Sequence, residues 1–296
     1  MGLKKTRKDL LIAYIFILPS IILLSILILY PLIRSFHLGF LNSSFVIKNP
    51  VFIGFRNYTE ALMSLSFWKV VRNSTVWTVV VVFFQFLIGL SFALFLNKKL
   101  LIGRNIMRSL ILIPWVIPGI IVGIIWKFIY HPQIGLFNSI LIRLGLIDSY
   151  VAPLASEKTA LFAVIIVAIW KGFPFSTVVY LAALQSVSKD AIESAMIDGA
   201  SYFQRLVHIV IPSMSRIIKI TLLLTTIWTF NYFDITYAMT RGGPNRATQI
   251  FPLEIYNQAF SQFKFSYAAA VAILSLIVIL FFSQFYIREL RRTQSL

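Results

Sequence analysis

Asn231 and Asp234 stand three residues apart, on one face of any helix they share, in a stretch that also carries Trp228 and Tyr232. An amide, a carboxylate and two aromatic rings have a joint chemistry. Rings stack on C–H surfaces while the amide and carboxylate take hydrogen bonds from hydroxyl groups. The same polar pair could equally bond from helix to helix. Trp170 and Lys171 form a second such group, and Trp115 adds a further ring. Were Lys171 to pair with Asp234, the two charges would cancel and leave nothing for a ligand. Bond-making chemistry has few candidates. The three histidines, His37, His131 and His208, form no H-x-x-x-H pair, cysteine is absent, and no G-x-x-x-x-G-K-[ST] phosphate loop occurs. No catalytic residue, metal site or nucleotide pocket is expected in this chain.

The elements that must position these residues lie in lipid. Hydrophobic residues make up 59% of the 296, charged residues 12%, and mean hydropathy is +0.86, against about 25% charged in soluble domains. Apolar runs of the length that crosses a hydrocarbon core as a helix fall at 10–33, 74–96, 109–130, 159–184, 217–239 and 267–287. The expected fold is an all-α polytopic membrane protein of six spans in a single permease domain, 1–296. A polar pair inside the fifth span would be costly if it faced lipid. Tryptophans also settle at membrane interfaces, a reading that suits Trp115 and Trp126 better than the mid-span Trp170. Lys127 can reach an interface by its long stem. The apolar run after Lys4, Lys5, Arg7 and Lys8 is too long for a signal peptide and has no small-x-small cleavage site, so it reads as a retained first helix.

The formal charge of +17 would suggest nucleic acid in a soluble protein. Here the cations sit in loops on opposite membrane faces and cannot line one groove. Their asymmetry instead sets orientation. The termini share a side with Lys98, Lys99, Arg104, Arg108, Lys189, Arg205, Arg216, Lys219, Arg288, Arg291 and Arg292. Fewer cations, among them Arg34, Lys48, Arg56, Lys69 and Arg72, occupy the longer loops opposite. Both termini are expected in the cytoplasm. Pro19, Pro114, Pro118, Gly119, Gly123, Gly172 and Pro174 interrupt several spans, which neighbouring helices can accommodate.

The loop 185–215 has the most local order. Ser188 can cap a short helix with Asp190 and Glu193 in its opening turns, and Asp198-Gly199 supplies the turn that ends it. Ser201 and Gln204 have capping-box spacing for a second helix that Pro212 should stop. Ile192, Ala195 and Met196, then Phe203, Leu206, Val207 and Val210, make apolar stripes. Such a hairpin needs cover, from lipid headgroups or from a protein groove.

The segment E-S-A-M-I-D-G-A followed by I-V-I-P, with Glu193, Ala195, Asp198, Gly199, Ala200, Ile209 and Pro212, resembles the EAA motif of permease subunits in binding-protein-dependent ABC importers. Ser194 and Leu206 stand where that motif usually has Ala and Phe. The resemblance implies a coupling helix, with Phe203 among its residues, seated in a groove of a separate ATPase. It implies ATP and Mg held by two ATPase subunits or domains rather than by this chain, a second permease subunit, an extracytoplasmic solute-binding protein, and a multi-pass place in the cell membrane.

A second stretch, W-T-F-N-Y-F-D-I-T-Y-A-M-T-R-G-G-P-N-R-A-T, is similar to the carbohydrate-uptake group of these permeases, as are F-I-G-F-R-N-Y ending at Tyr58, I-P-W-V-I-P, and A-L-Q-S at Ala183 to Ser186. It implies a sugar or oligosaccharide as cargo and docking of the binding protein near Gly242, Gly243 and Pro244; for such a cargo the residue chemistry of the spans makes Trp115, Trp170, Lys171, Trp228, Asn231, Tyr232 and Asp234 the candidate pathway lining. By itself, Gly242-Gly243-Pro244 is only a turn. Glycerol phosphate or another polyol is an alternative cargo, and a secondary transporter or channel an alternative machine. The latter leaves the 193–212 motif without a reason.

Overall fold

The computed structural model describes residues 7–43, 50–98 and 103–292. Lys4, Lys5, Lys48 and Lys99, which entered the orientation argument, lie outside them. Five described helices are long and apolar enough to cross a membrane, and a bent pair, counted as one span, brings the number to six.

Contacts divide the chain into two units, one of the residues up to Ser64 with Ile255–Leu274, the other of Leu65–Glu254 with Ser275 onward. In the first unit α1 (Arg7–Leu24) passes through a π-helical turn, Ser25–Leu29, into α2 (Tyr30–Leu38). The span is therefore Tyr14–Leu38, a few residues later than expected. None of its side chains is buried. A two-stranded hairpin follows, β1 (Leu41–Asn42) with β2 (Val51–Phe52), a small departure from an all-helical fold. Asn57, in α3 (Arg56–Met63), closes it by donating to the carbonyls of Gly39 (2.8 Å) and Leu41 (2.9 Å).

The second unit holds the helices that carry the candidate residues. They are α4 (Leu65–Leu96), α5 (Arg104–Val116), α6 (Gly119–Ile129), α7 (Leu136–Arg143), α8 (Ala160–Leu184), α9 (Lys189–Ile197), α10 (Tyr202–Arg205), α11 (Ile211–Phe230) and α12 (Asp234–Thr240). The short α13 (Phe251–Tyr256) and the long α14 (Phe265–Arg292) follow. Helices α4 and α8 pack along their lengths because small residues let the backbones approach, as membrane helices require. A Cβ on Gly89 would lie 2.6 Å from the Ser176 Cβ, and one on Gly172 would collide with the Gln85 side chain. Gln85 is buried and donates to the Ala168 carbonyl at 3.1 Å, so its amide costs little in lipid.

Two expected helices are built differently. The third span is not one helix from 109 to 130. It is α5 and α6, bent 94° at Ile117-Pro118. Proline disfavours helical geometry in the residue before it, and Ile117 is extended (φ −66°, ψ 131°). Pro114 and Pro174 lie inside helices without breaking them.

The second helix of the 185–215 loop does not stop at Pro212. Helix α10 runs through a π-helical turn, Leu206–Val210, into α11, so that one apolar stretch extends from Tyr202 to Thr240. The Ile211 amide bonds five residues back, to Leu206. That wider turn puts Pro212 in the first turn of α11, where its missing amide is not needed.

Candidate functional site

The break in the third span has an unbonded carbonyl end and an unbonded amide end; a lysine bonds to the first and a carboxylate packs beside the second. Lys171, in α8 and only 8% exposed, donates to the carbonyls of Trp115 (3.1 Å) and Ile117 (2.6 Å). Asp234 lies over Gly119, the first residue of α6. A Cβ there would come within 3.0 Å of the Asp234 Cβ and 3.1 Å of its Oδ2. A cation at a helix C-terminus and an anion at an N-terminus both oppose the local dipole favourably. Among the described residues no ion pair joins Lys171 to Asp234.

Helix α6 is tied to α12 by glycine spacing. Gly119 meets Asp234, and one turn on a Cβ at Gly123 would lie 2.6 Å from the Ala238 Cβ. This is the small-xxx-small contact of membrane helices. Its signal, two glycines four residues apart, is present in the sequence but reads there only as an interruption of the span.

Asn231 and Asp234 do not share a helix face. Helix α11 ends at Phe230 with Asn231 as its C-cap, and Asp234 starts α12. The Asn231 side chain causes part of this, since its Nδ2 bonds back to the Ile227 carbonyl at 2.8 Å and competes with helical continuation.

The seven expected pathway residues fall into two groups. Trp115 (47% exposed) and Trp228 (48%) stand open, as do Asn231 and Asp234. Phe175 links the two rings, stacked on Trp115 at 6.0 Å between centroids and edge-on to Trp228 at 4.9 Å. The rings are thus joined through Phe175, and Asn231 and Asp234 are open on either side of the second helix break. Lys171, Trp170 and Tyr232 are inside. Trp170 packs edge-on against Trp126 at 5.6 Å, and both it and Tyr232 border the buried cluster around Trp77, Val122 and Ile235.

In the 193–212 segment the expected caps are present. The Ser188 Oγ accepts from the Ala191 amide at 3.3 Å. Ser201 and Gln204 form both halves of a capping box, at 2.7 and 3.3 Å. Gly199 has φ +79°, a left-handed geometry that glycine takes at no steric cost, and Arg205 donates to the Ala200 carbonyl across the turn. The apolar stripes divide. Ile192, Leu206 and Val210 face inward onto the cluster of Leu184, Val187 and Met214. Met196, Ile197 (87% exposed), Tyr202, Phe203 (70%) and Val207 remain open. Glu193 is exposed and Ala195 partly covered. Two cavities flank the turn, about 240 Å³ lined by Leu94, Leu184, Ile192 and Leu206, and about 350 Å³ lined by Asp198, Gly199, Ala200, Gln204 and His208.

The Gly242–Pro244 loop is held from beneath. Arg241, Gly242, Asn245 and Arg246 all have positive φ, and this coiled backbone would leave carbonyls unpaired without donors from elsewhere. Buried Asn73, in α4, supplies them to Arg246 (3.1 Å), Ala247 (3.1 Å) and Gln249 (3.2 Å), and the neighbouring Ser74 Oγ accepts from the Phe251 amide at 2.9 Å. Thr240 and the buried Thr248 bond each other at 2.6 Å. Lys69 donates to the Asn245 carbonyl at 2.7 Å, and Glu254 holds both Arg246 and Gln249. Asn73, Ser74 and Glu254 are not among the residues expected from sequence, although a polar pair at one end of an apolar helix was the available signal. Gly243 and Pro244 also border a cavity of about 410 Å³ with Lys127, Tyr130 and His131.

Comparison with known proteins bears on the whole chain. Residues 85–293 match the family model for the binding-protein-dependent transport system inner membrane component. The chain is 35% identical to the trehalose/maltose transport system permease protein MalF of Thermococcus litoralis, over 94% of this chain and 92% of the relative. It is 31% identical to the sulfoquinovosyl glycerol transport system permease protein SmoG of Agrobacterium fabrum, over 96% and 91%. Its fold is similar to that in the crystal structure of a bacterial ABC transporter involved in import of the acidic polysaccharide alginate, with TM-score 0.83 and 25% identity over 97% of this chain and 96% of the other.

Proposed function

Because this chain belongs to the family of binding-protein-dependent transport system inner membrane components, a multi-pass constituent of the cell membrane, we propose that it is the permease subunit of an ATP-driven sugar importer that carries an uncharged sugar or oligosaccharide. The observation that carries the cargo class is the open set of Trp115, Trp228, Asn231 and Asp234. Its rings suit the C–H faces of a pyranose, and its amide and carboxylate suit hydroxyls. Lys171 gives two of its three N–H donors to backbone carbonyls. It is therefore only partly available to an anionic cargo group, which favours a neutral sugar over glycerol phosphate.

The remaining parts follow from the same reading. Both termini are cytoplasmic. Glu193, Ala195, Asp198, Gly199, Ala200, Phe203 and Pro212 form the coupling segment, whose open Met196, Ile197 and Phe203 supply the apolar contact that a groove in an ATPase subunit would bury. ATP and Mg are bound there, by two ATPase subunits or domains, and closure of these is passed to the spans as a rigid-body movement. A second permease subunit completes the membrane part. An extracytoplasmic binding protein delivers sugar to the Gly242–Pro244 loop, whose buried supports keep it in one shape.

The test is reconstitution of the assembled complex in proteoliposomes with its binding protein, and measurement of ATP hydrolysis and uptake for a panel of neutral sugars, acidic sugars and glycerol phosphate. Stimulation of both by a neutral sugar is the expected result. Uptake without ATP would establish the secondary transporter instead, and stimulation by glycerol phosphate alone would refute the cargo.

A further inference from the structure

We propose that Lys171 and Asp234 are the two ends of a clamp that fixes the angle between α5 and α6, so that Lys171 is a positioning residue for the solute-facing rings and not a ligand of the cargo. The clamp lies within the site assigned above and in that respect rests on its reading as a transport path.

Three observations carry it. The third span is broken by 94° at Ile117-Pro118, which leaves α5 with carbonyls and α6 with amides that lack helical partners. In lipid each such group is costly, and a break of this kind persists only where neighbouring side chains serve it. Lys171 serves the first end, with Nζ donating to Trp115 and Ile117 from a buried position in α8. Asp234 lies against the second, its side chain packed over Gly119 at the start of α6, where the helix dipole favours an anion.

The two ends have different anchors. Lys171 ties α5 to α8. Asp234, together with the Gly123–Ala238 contact, ties α6 to α12. Helix α12 begins at the other discontinuity, after Asn231, so the two breaks are neighbours. Trp115 is the residue whose carbonyl Lys171 holds, and its ring stacks on Phe175 from the same helix as Lys171. Releasing the ammonium would free the last turn of α5 and with it the ring that contacts sugar. Movement of α5 relative to α6 would then no longer be limited by the pair.

Absence of cysteine from this chain makes a direct test practical. Cysteines replacing Leu110 and Ile124, both exposed and on opposite sides of the break, are spin-labelled in the assembled complex, with the partner subunits cysteine-free. Their distance distribution is measured by double electron–electron resonance without solute. A single narrow population is expected with Lys171, a broadened or second population with Lys171→Met, and return of the narrow one with Lys171→Arg, which keeps donors on a long stem. In the same complexes Lys171→Met should lower maximal sugar-stimulated ATP hydrolysis about tenfold, and Lys171→Arg should restore it.

An unchanged distribution in Lys171→Met would overturn the clamp. So would a raised half-saturating concentration at full maximal rate, which is the mark of a cargo ligand. Should Lys171→Met fail to assemble, Asp234→Ala releases the other end and is expected to broaden the same distribution, and its failure to do so overturns the clamp equally. Since the distance is read without solute, the clamp stands or falls on it whether or not the cargo is a neutral sugar.

Discussion

The coupling segment and the broken-helix region both use helix ends, but they stabilise them from different distances. Around Gly199 every partner is local. Ser188 reaches Ala191, Ser201 reaches Gln204, and Arg205 reaches Ala200. Around Pro118 the side chains that support the break are remote, with Lys171 some fifty residues downstream and Asp234 more than a hundred. A segment built from local caps can move as a piece without losing its form. A break held by two other helices, α8 and α12, has a form only while those helices stay in place, which suits a part whose geometry reports the state of the whole bundle.

That contrast predicts different failures. The largest loss of stability should come from Gly123→Leu. A Cβ alone at that position would lie 2.6 Å from the Ala238 Cβ, and the rest of the side chain has nowhere to go. Overpacking of this kind costs about 3 kcal/mol, so the detergent-solubilised complex should lose several degrees of melting temperature, and transport with it. Melting at the unsubstituted temperature would show that α6 and α12 are not packed as described.

Gly199→Val and Glu193→Lys should act on coupling with little effect on the spans. The first forces a branched residue into φ +79° at about 1–3 kcal/mol, yet nothing lies within 4 Å of the position for a side chain to strike. The second reverses an exposed charge. In both, sugar-stimulated ATP hydrolysis should fall to the unstimulated rate and the ATPase should be retained less well, with membrane insertion intact. Undiminished coupling in both variants would remove the coupling assignment and with it this half of the comparison.

Asn73→Ala should give an intermediate effect. It deprives three loop carbonyls of one amide at about 1–3 kcal/mol, and the expected readout is weakened stimulation by the binding protein with normal unstimulated hydrolysis. Equal stimulation would mean that the loop keeps its shape without α4.

How far the sequence was legible follows the same division. Spans could be read because lipid demands long apolar runs, and caps could be read because Ser188, Ser201, Gln204 and Gly199 act on neighbours within a turn. Pro212 misled because its effect depended on whether the preceding turn was α- or π-helical. Asn231 and Asp234 misled because helical spacing assumes a continuous helix, and the Asn231 side chain helps to end this one. Lys171 stood out as a pathway candidate or as a charge that Asp234 could neutralise. Its actual partners are backbone carbonyls, which every residue carries and no sequence pattern marks.

The smallest predicted effect is also the cleanest check on the local side of the comparison. Ser201→Ala removes the hydroxyl that caps the Gln204 amide and leaves the reciprocal Gln204 bond to the Ser201 amide in place. Loss of an N-cap costs about 1 kcal/mol, so hydrogen exchange at the Gln204 amide should quicken about fivefold. Because the caps are local, exchange in α5 and α6 should stay as it was. Ser201→Asp, whose carboxylate caps as well as serine does and suits a helix N-terminus, should restore protection. Faster exchange reaching α5 would mean that the segment and the break are one structure, and the contrast between local and remote support would fail there.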